Sequence, residues 1–129
     1  MSESNVITLW QAVTPNTVTA IERAHGQRLQ PSSDGDPFTL LKLNPRWAVR
    51  VGETVWAQRF GTAALVEIVL PTAALATYPV ESVAYADHRE YRIPSIDLPC
   101  LSQALVRPVR VIGQVGCKAR AVPRWARVG

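Results

Sequence analysis

A chain of 129 residues is long enough for one domain that buries about two-thirds of the surface it exposes when unfolded. Its 47% apolar and 19% charged side chains make a folding composition rather than a disordered one. No apolar run reaches the ~18 residues a membrane-spanning helix needs, the stretch from Ala63 to Leu70 being interrupted by Glu67, so the expectation is a protein outside the membrane. The formal charge of +4 is uneven: residues 1–97 hold eight basic and ten acidic side chains, and the residues after Asp97 hold six basic and none acidic. Arg107, Arg110, Lys118, Arg120, Arg124 and Arg127 therefore form either a solvated cationic strip or one that attracts phosphate.

Met1 to Asn5 carries an acid and no basic segment followed by a long apolar one, which gives no sign of a secretory signal and sets the expectation of a cytoplasmic location. Cys100 and Cys117 are too few for a disulfide framework and lack ligand-spaced neighbours, so they read as reduced thiols with no metal.

In chain order, Ile7 to Val13 is rich in β-formers and stops before Thr14-Pro15, which predicts a first strand. Thr14 as cap, Pro15 as first helical residue and apolar Val18, Ala20, Ile21 and Ala24 predict a helix over 15–25, ended by Gly26. His25 then reads as a partner for the C-terminal end of the helix dipole. Pro31 to Pro37 contains mostly turn-forming residues and predicts an exposed loop. Asn44-Pro45 repeats the cap signal, and the spacing of Trp47, Val51, Val55 with Ala48, Gly52, Trp56 predicts a helix over 45–59 that buries both tryptophans.

Gly61 ends that helix, and Ala64 to Leu70 predicts a strand buried on much of both faces, closed by Pro71. A helical turn is expected over 72–78, then strands Val80 to Tyr85 and Glu90 to Ile93 joined by Ala86-Asp87-His88 as a hairpin. A short helix at Ile96-Asp97-Leu98 and a strand from Val106 to Ile112 complete the order. Hairpins mixed with flanking helices, without regular βαβ alternation, predict an α+β fold. The expected organisation is a flexible N-terminus over 1–6, one domain over 7–114 and a basic tail over 115–129.

The densest polar constellation is Asp87-His88-Arg89-Glu90-Tyr91-Arg92. Strand alternation places His88, Glu90 and Arg92 on one side. A carboxylate beside an imidazole and a guanidinium can position a hydroxyl, accept a proton or stabilise a developing cation; the plainer alternative is an exposed face with Glu90 paired to a neighbour. Trp10, Trp47, Trp56 and Trp125 either stack on a ligand ring or belong to the core. Gly113-Gln114-Val115-Gly116 lacks the following helix that a phosphate loop requires.

Five blocks stand in the order of a known family: Leu9-Trp10-Gln11-Ala12-Val13, Leu43-Asn44, Tyr78-Pro79-Val80-Glu81, His88-Arg89-Glu90-Tyr91-Arg92-Ile93-Pro94 and Val106-Arg107-Pro108-Val109-Arg110-Val111. Over about residues 7–112 the chain resembles the small bacterial "ADP-ribosylation/crystallin J1" family. That family has a first strand Leu-Tyr-Arg-Pro-Val, a Tyr-Pro-Val-Gln motif and His-x-Glu-Tyr-x-Ile-Pro. The resemblance implies a compact ADP-ribosyltransferase-like fold with a split β-sheet and flanking short helices, NAD lying in the cleft between two small sheets. It implies Glu90 as the catalytic glutamate and His88 as its helper. Gln11, Trp10, Arg92 and Arg28 would line the NAD site.

A carboxylate near the ribose hydroxyls would orient the sugar and stabilise the oxocarbenium-like charge as the nicotinamide bond breaks. The chain departs from the family at Trp10-Gln11, where Tyr-Arg is usual, and glutamine cannot neutralise pyrophosphate. Arg23, Arg28 and Arg50 are the candidates to supply that charge. Tyr85-Ala86 replaces the family's Gly-Gly before the histidine. The resulting expectation is transfer of ADP-ribose from NAD to a protein or nucleic-acid acceptor. The alternative is a non-catalytic binding module of the same fold, contacting a protein or nucleic acid through its cleft or basic tail.

Overall fold

The computed structural model describes residues 5–116. Six strands form one antiparallel sheet with helices on both faces: β1 (Val6–Val13), β2 (Phe38–Lys42), β3 (Thr62–Pro71), β4 (Val80–Ser82), β5 (Arg89–Pro94) and β6 (Arg110–Gly116). The class is α+β, as expected. Across the sheet the order is β4-β5-β2-β1-β3-β6. β1 pairs with β3 over its whole length, from Val6↔Pro71 to Val13↔Ala64, whereas β1 and β2 share one registered pair, Trp10↔Lys42. The sheet is thus continuous, yet consists of two three-stranded halves meeting at a thin seam. The resemblance implied two small sheets; the strands form one continuous sheet instead.

Alternation assigns the faces, because residues directly opposite in an antiparallel ladder share one. Leu9, Val13, Leu41, Val66, Ile68, Leu70, Tyr91 and Ile93 build the main core on one face. Ile21 of α1 (Pro15–Arg23) and Leu98 and Leu101 of the short α4 (Leu98–Ser102) close it, with Leu29 and Leu75. On the other face lies a helical segment made of α2 (Pro45–Val51), a π turn (Gly52–Trp56) and α3 (Ala57–Phe60).

The helix starts obey the expected chemistry. Thr14 Oγ1 accepts from Thr17 N–H at 3.3 Å and Asn44 Oδ1 from Arg46 N–H at 2.9 Å, each with proline at the first helical position. Gly61 ends α3 in the left-handed region at φ 84°. α1 stops at Arg23, and His25 lies beyond it, exposed, at φ 54°.

Several boundaries differ from the sequence expectation. β2 is not among the elements expected from the sequence. The second helix is not regular: the π turn adds a residue to one cycle and rotates the next turn of the helix, so Trp47 is buried while Trp56 is half-buried and Val55 exposed. The strand expected to reach Tyr85 ends at Ser82, because Ala84 turns the chain at φ 65°. The last strand runs over Arg110–Gly116 instead of 106–112; Val106 and Val109 donate to Val69 O and Gly26 O before it starts. Residues 115 and 116, expected in the tail, end β6. The expected N-terminal segment lies outside the described residues up to Ser4, as do Cys117, Lys118, Arg120, Arg124, Trp125 and Arg127.

Candidate functional site

Lys42 and Glu90 stand directly opposite across the β2–β5 ladder, and each is only 5% exposed. The Lys42 ammonium donates to Glu90 Oε1 in an ion pair closed off from water. His88, at the end of the turn leading into β5, brings Nε2 to 3.1 Å from Lys42 Nζ and 3.7 Å from Glu90 Oε1. An ammonium has no acceptor, so Nε2 accepts and the imidazole proton sits on Nδ1. Burial pushes the His88 pKa down, and the Lys42 charge pushes it further; Glu90, Asp87 and a backbone hydrogen bond with Val83 oppose both.

An aromatic stack roofs this trio. The Asn44 cap and Pro45 start α2 so that Trp47 lies in its first turn, where its ring stacks on His88 (centroids 4.4 Å apart, planes at 4°) and on Tyr85 (5.4 Å, 16°). Arg46 lies 5.0 Å from the Trp47 ring and reaches Asp87 at 3.6 Å. Trp47 Nε1 is buried with no hydrogen-bond partner among the described residues. The left-handed turn at Ala84 is what brings Tyr85 back over α2, with His88 N–H donating to Tyr85 O at 3.0 Å.

The residues anticipated from the sequence are divided by the sheet. Glu90, Arg92 and Trp10 share the face of Lys42, since Trp10 pairs with Lys42 and Lys42 with Glu90, and His88 joins them from the turn. Arg92 is exposed, its guanidinium 4.0 Å above the Phe38 ring. Gln11, one residue from Trp10, points to the opposite face between Leu9 and Val13. It is 1% exposed, and its amide donates to Gln30 O at 2.8 Å and Ser32 Oγ at 3.2 Å, pinning residues 30–32. Gln11, His88 and Glu90 therefore do not line one cleft, because strand alternation puts neighbouring residues on opposite sides.

Arg28 also lies on the α1 side, where it lines an open hollow of about 770 Å³ with Arg23, Gln30 and Asp34 and a second of about 580 Å³ with Gln103 and Arg107. At the seam, Ala12, Ser32, Asp36, Phe38, Leu40, Lys42, Val51 and Trp56 enclose about 80 Å³, well below the ~300 Å³ at which ligand pockets begin. Lys42 touches that space; Glu90 does not line it. Arg107 and Arg110, the described part of the basic strip, reach Glu67 at 2.7 and 3.8 Å.

Lys42 is the residue that sequence reasoning missed. Its signal was a lone charge inside Leu40-Leu41-Lys42-Leu43, which on a buried strand demands an acidic partner. No family model matches the chain, and no curated protein or solved structure matches it either.

Proposed function

We propose that the chain is a non-catalytic binding module that holds a protein partner on its helix-and-sheet scaffold. The observation that carries this reading is the burial of Glu90 against Lys42. A carboxylate that stabilises an oxocarbenium ion has to face the sugar with its charge unspent. Here that charge is neutralised inside the fold, and withdrawing Glu90 would leave Lys42 as a buried unpaired cation. Gln11 is committed to the 30–32 segment on the opposite face. Exposed Phe38, Val55, Phe60, Val111 and Ile112 supply apolar surface of the kind partner proteins cover.

A second reading, transfer of ADP-ribose from NAD, is favoured by the seam between the two half-sheets, with Trp10 and Lys42 facing each other across it. It requires Glu90 to exchange Lys42 for the ribose. Incubation with millimolar NAD separates the two. The binding-module reading expects no nicotinamide release and no rise in melting temperature. Nicotinamide release that disappears in Glu90→Gln overturns it in favour of the enzyme.

A further inference from the structure

Two charged side chains with bonding capacity to spare line the small hollow at the seam, Lys42 from β2 and Asp36 from the loop before it. Lys42 is 5% exposed, and an ammonium carries three N–H groups, of which Glu90 Oε1 and His88 Nε2 take two. The third has no partner among the described residues. The half-buried Asp36 carboxylate makes no hydrogen bond or ion pair among those residues either. Around the two charges the wall of this space of about 80 Å³ is mostly apolar: Ala12, Phe38, Leu40, Val51 and Trp56. Ala12 and Lys42 form a buried floor, and Phe38, 41% exposed, opens the hollow to solvent. Arg92 lies 4.0 Å over the Phe38 ring and Arg59 5.8 Å over the Trp56 ring, so both aromatic walls are held in place.

We propose that this hollow binds a small free α-amino acid, glycine or alanine, with its carboxylate on Lys42 and its ammonium on Asp36. This goes beyond the protein-binding reading and adds a small ligand to it. Size and charge select the class. A space of about 80 Å³ holds about three waters or about five to six non-hydrogen atoms, which excludes a nucleotide, a sugar or a peptide. A carboxylate alone would meet Asp36 as a like charge, and an ammonium alone would meet Lys42 in the same way. A molecule that carries both signs on neighbouring atoms gives each side chain its opposite. The apolar wall leaves room for a hydrogen or a methyl on the α-carbon and none for a longer side chain. Such a ligand bridges the loop to β2 beside the joint where β1 and β2 share a single registered pair.

The test is isothermal titration calorimetry of the full chain near neutral pH with glycine, alanine, leucine, glycolate and methylamine. Glycolate keeps the carboxylate and replaces the ammonium by a hydroxyl, methylamine keeps only the ammonium, and leucine keeps both charges on a larger body. Glycine and alanine are expected to bind with a Kd between about 10 µM and about 1 mM, and the other three at least about tenfold more weakly. Asp36→Asn is expected to remove the preference for glycine over glycolate, because the amide no longer favours a cation. The comparison of solutes uses the wild-type chain and stands even if the variant misfolds.

No heat from glycine or alanine up to about 10 mM means that the hollow holds water alone and overturns the proposal. So does glycolate binding as tightly as glycine, which leaves a plain anion site, or methylamine doing so, which leaves Lys42 without a part. Leucine matching glycine removes the size limit and overturns it too, as does an unchanged glycine preference in folded Asp36→Asn. These titrations involve neither NAD nor a protein partner, so their failure removes the amino-acid proposal alone; nicotinamide release removes the binding-module reading alone.

Discussion

Glu90 and Lys42 each depend on the other to remain buried. Removing one leaves a desolvated charge without its partner, so Glu90→Leu or Lys42→Met alone is expected to cost about 3–5 kcal/mol of stability, read by denaturant unfolding. The double replacement is expected to recover most of that loss, since an apolar pair of similar volume needs no compensation. Losses that simply add would show that the two side chains do not act as a pair. His88 adds a pH dependence. Its pKa lies below the ordinary 6.5 in the folded chain, so the unfolded chain binds the proton first as pH falls. Stability is therefore full above pH 6.5 and declines below it, and His88→Phe, which keeps a ring beside Trp47, should flatten that decline. The remaining described histidine, His25, is exposed and serves as the control through His25→Asn. At this scale the acid and the imidazole were legible in the sequence, because both sit in one short polar run. Lys42 was not, because its pairing with Glu90 comes from strand register across 48 residues of chain.

Among the elements, those bounded by proline caps and terminal glycines were legible, since those residues act on the backbone locally: Thr14-Pro15, Asn44-Pro45 and Gly61 all stand where expected. β2 was hidden by its brevity and by the turn-rich residues before it, and its strand character comes from pairing with β5. The π turn begins at Gly52, where an added Cβ would lie 3.3 Å from Val115 Cγ1 and 3.5 Å from Ala12 Cβ, so the helix crosses β1 and β6 closely there. Two glycines separate local conformation from packing. Gly61→Ala, at φ 84° with nothing near the added methyl, is expected to cost about 1–2 kcal/mol for the left-handed backbone alone. Gly26→Ala meets the same backbone demand at φ 71° and places the methyl 2.6 Å from Val109 O and 2.9 Å from Pro108 Cβ. It should cost clearly more and loosen the chain entering β6. Equal losses for the two variants would show that the 108–109 segment yields freely.

For the whole molecule, the unequal joints of the sheet set how it comes apart. β1 and β3 are paired end to end, β2 and β5 over five registered positions, and β1 with β2 at one. Native-state hydrogen exchange is expected to show the β1–β3 amides opening last and the β4-β5-β2 half opening as a separate, less stable unit. Identical opening energies for β5 and β1 amides would mean the seam holds as firmly as the strands on either side. The α+β class was legible because it needs only the mixture of local patterns. The order of strands was not, because the β2–β1 and β3–β6 neighbours are chosen by burial of side chains far apart in sequence.

The face-to-face contact between Trp47 and His88 also has an optical consequence. An imidazolium held against an indole quenches its emission, while the buried, unpartnered Nε1 keeps that emission towards the blue. Protonation of His88 while the stack is intact should thus dim a blue component of the intrinsic fluorescence. The protein carries its own pH indicator, and no dye has to be attached to follow it.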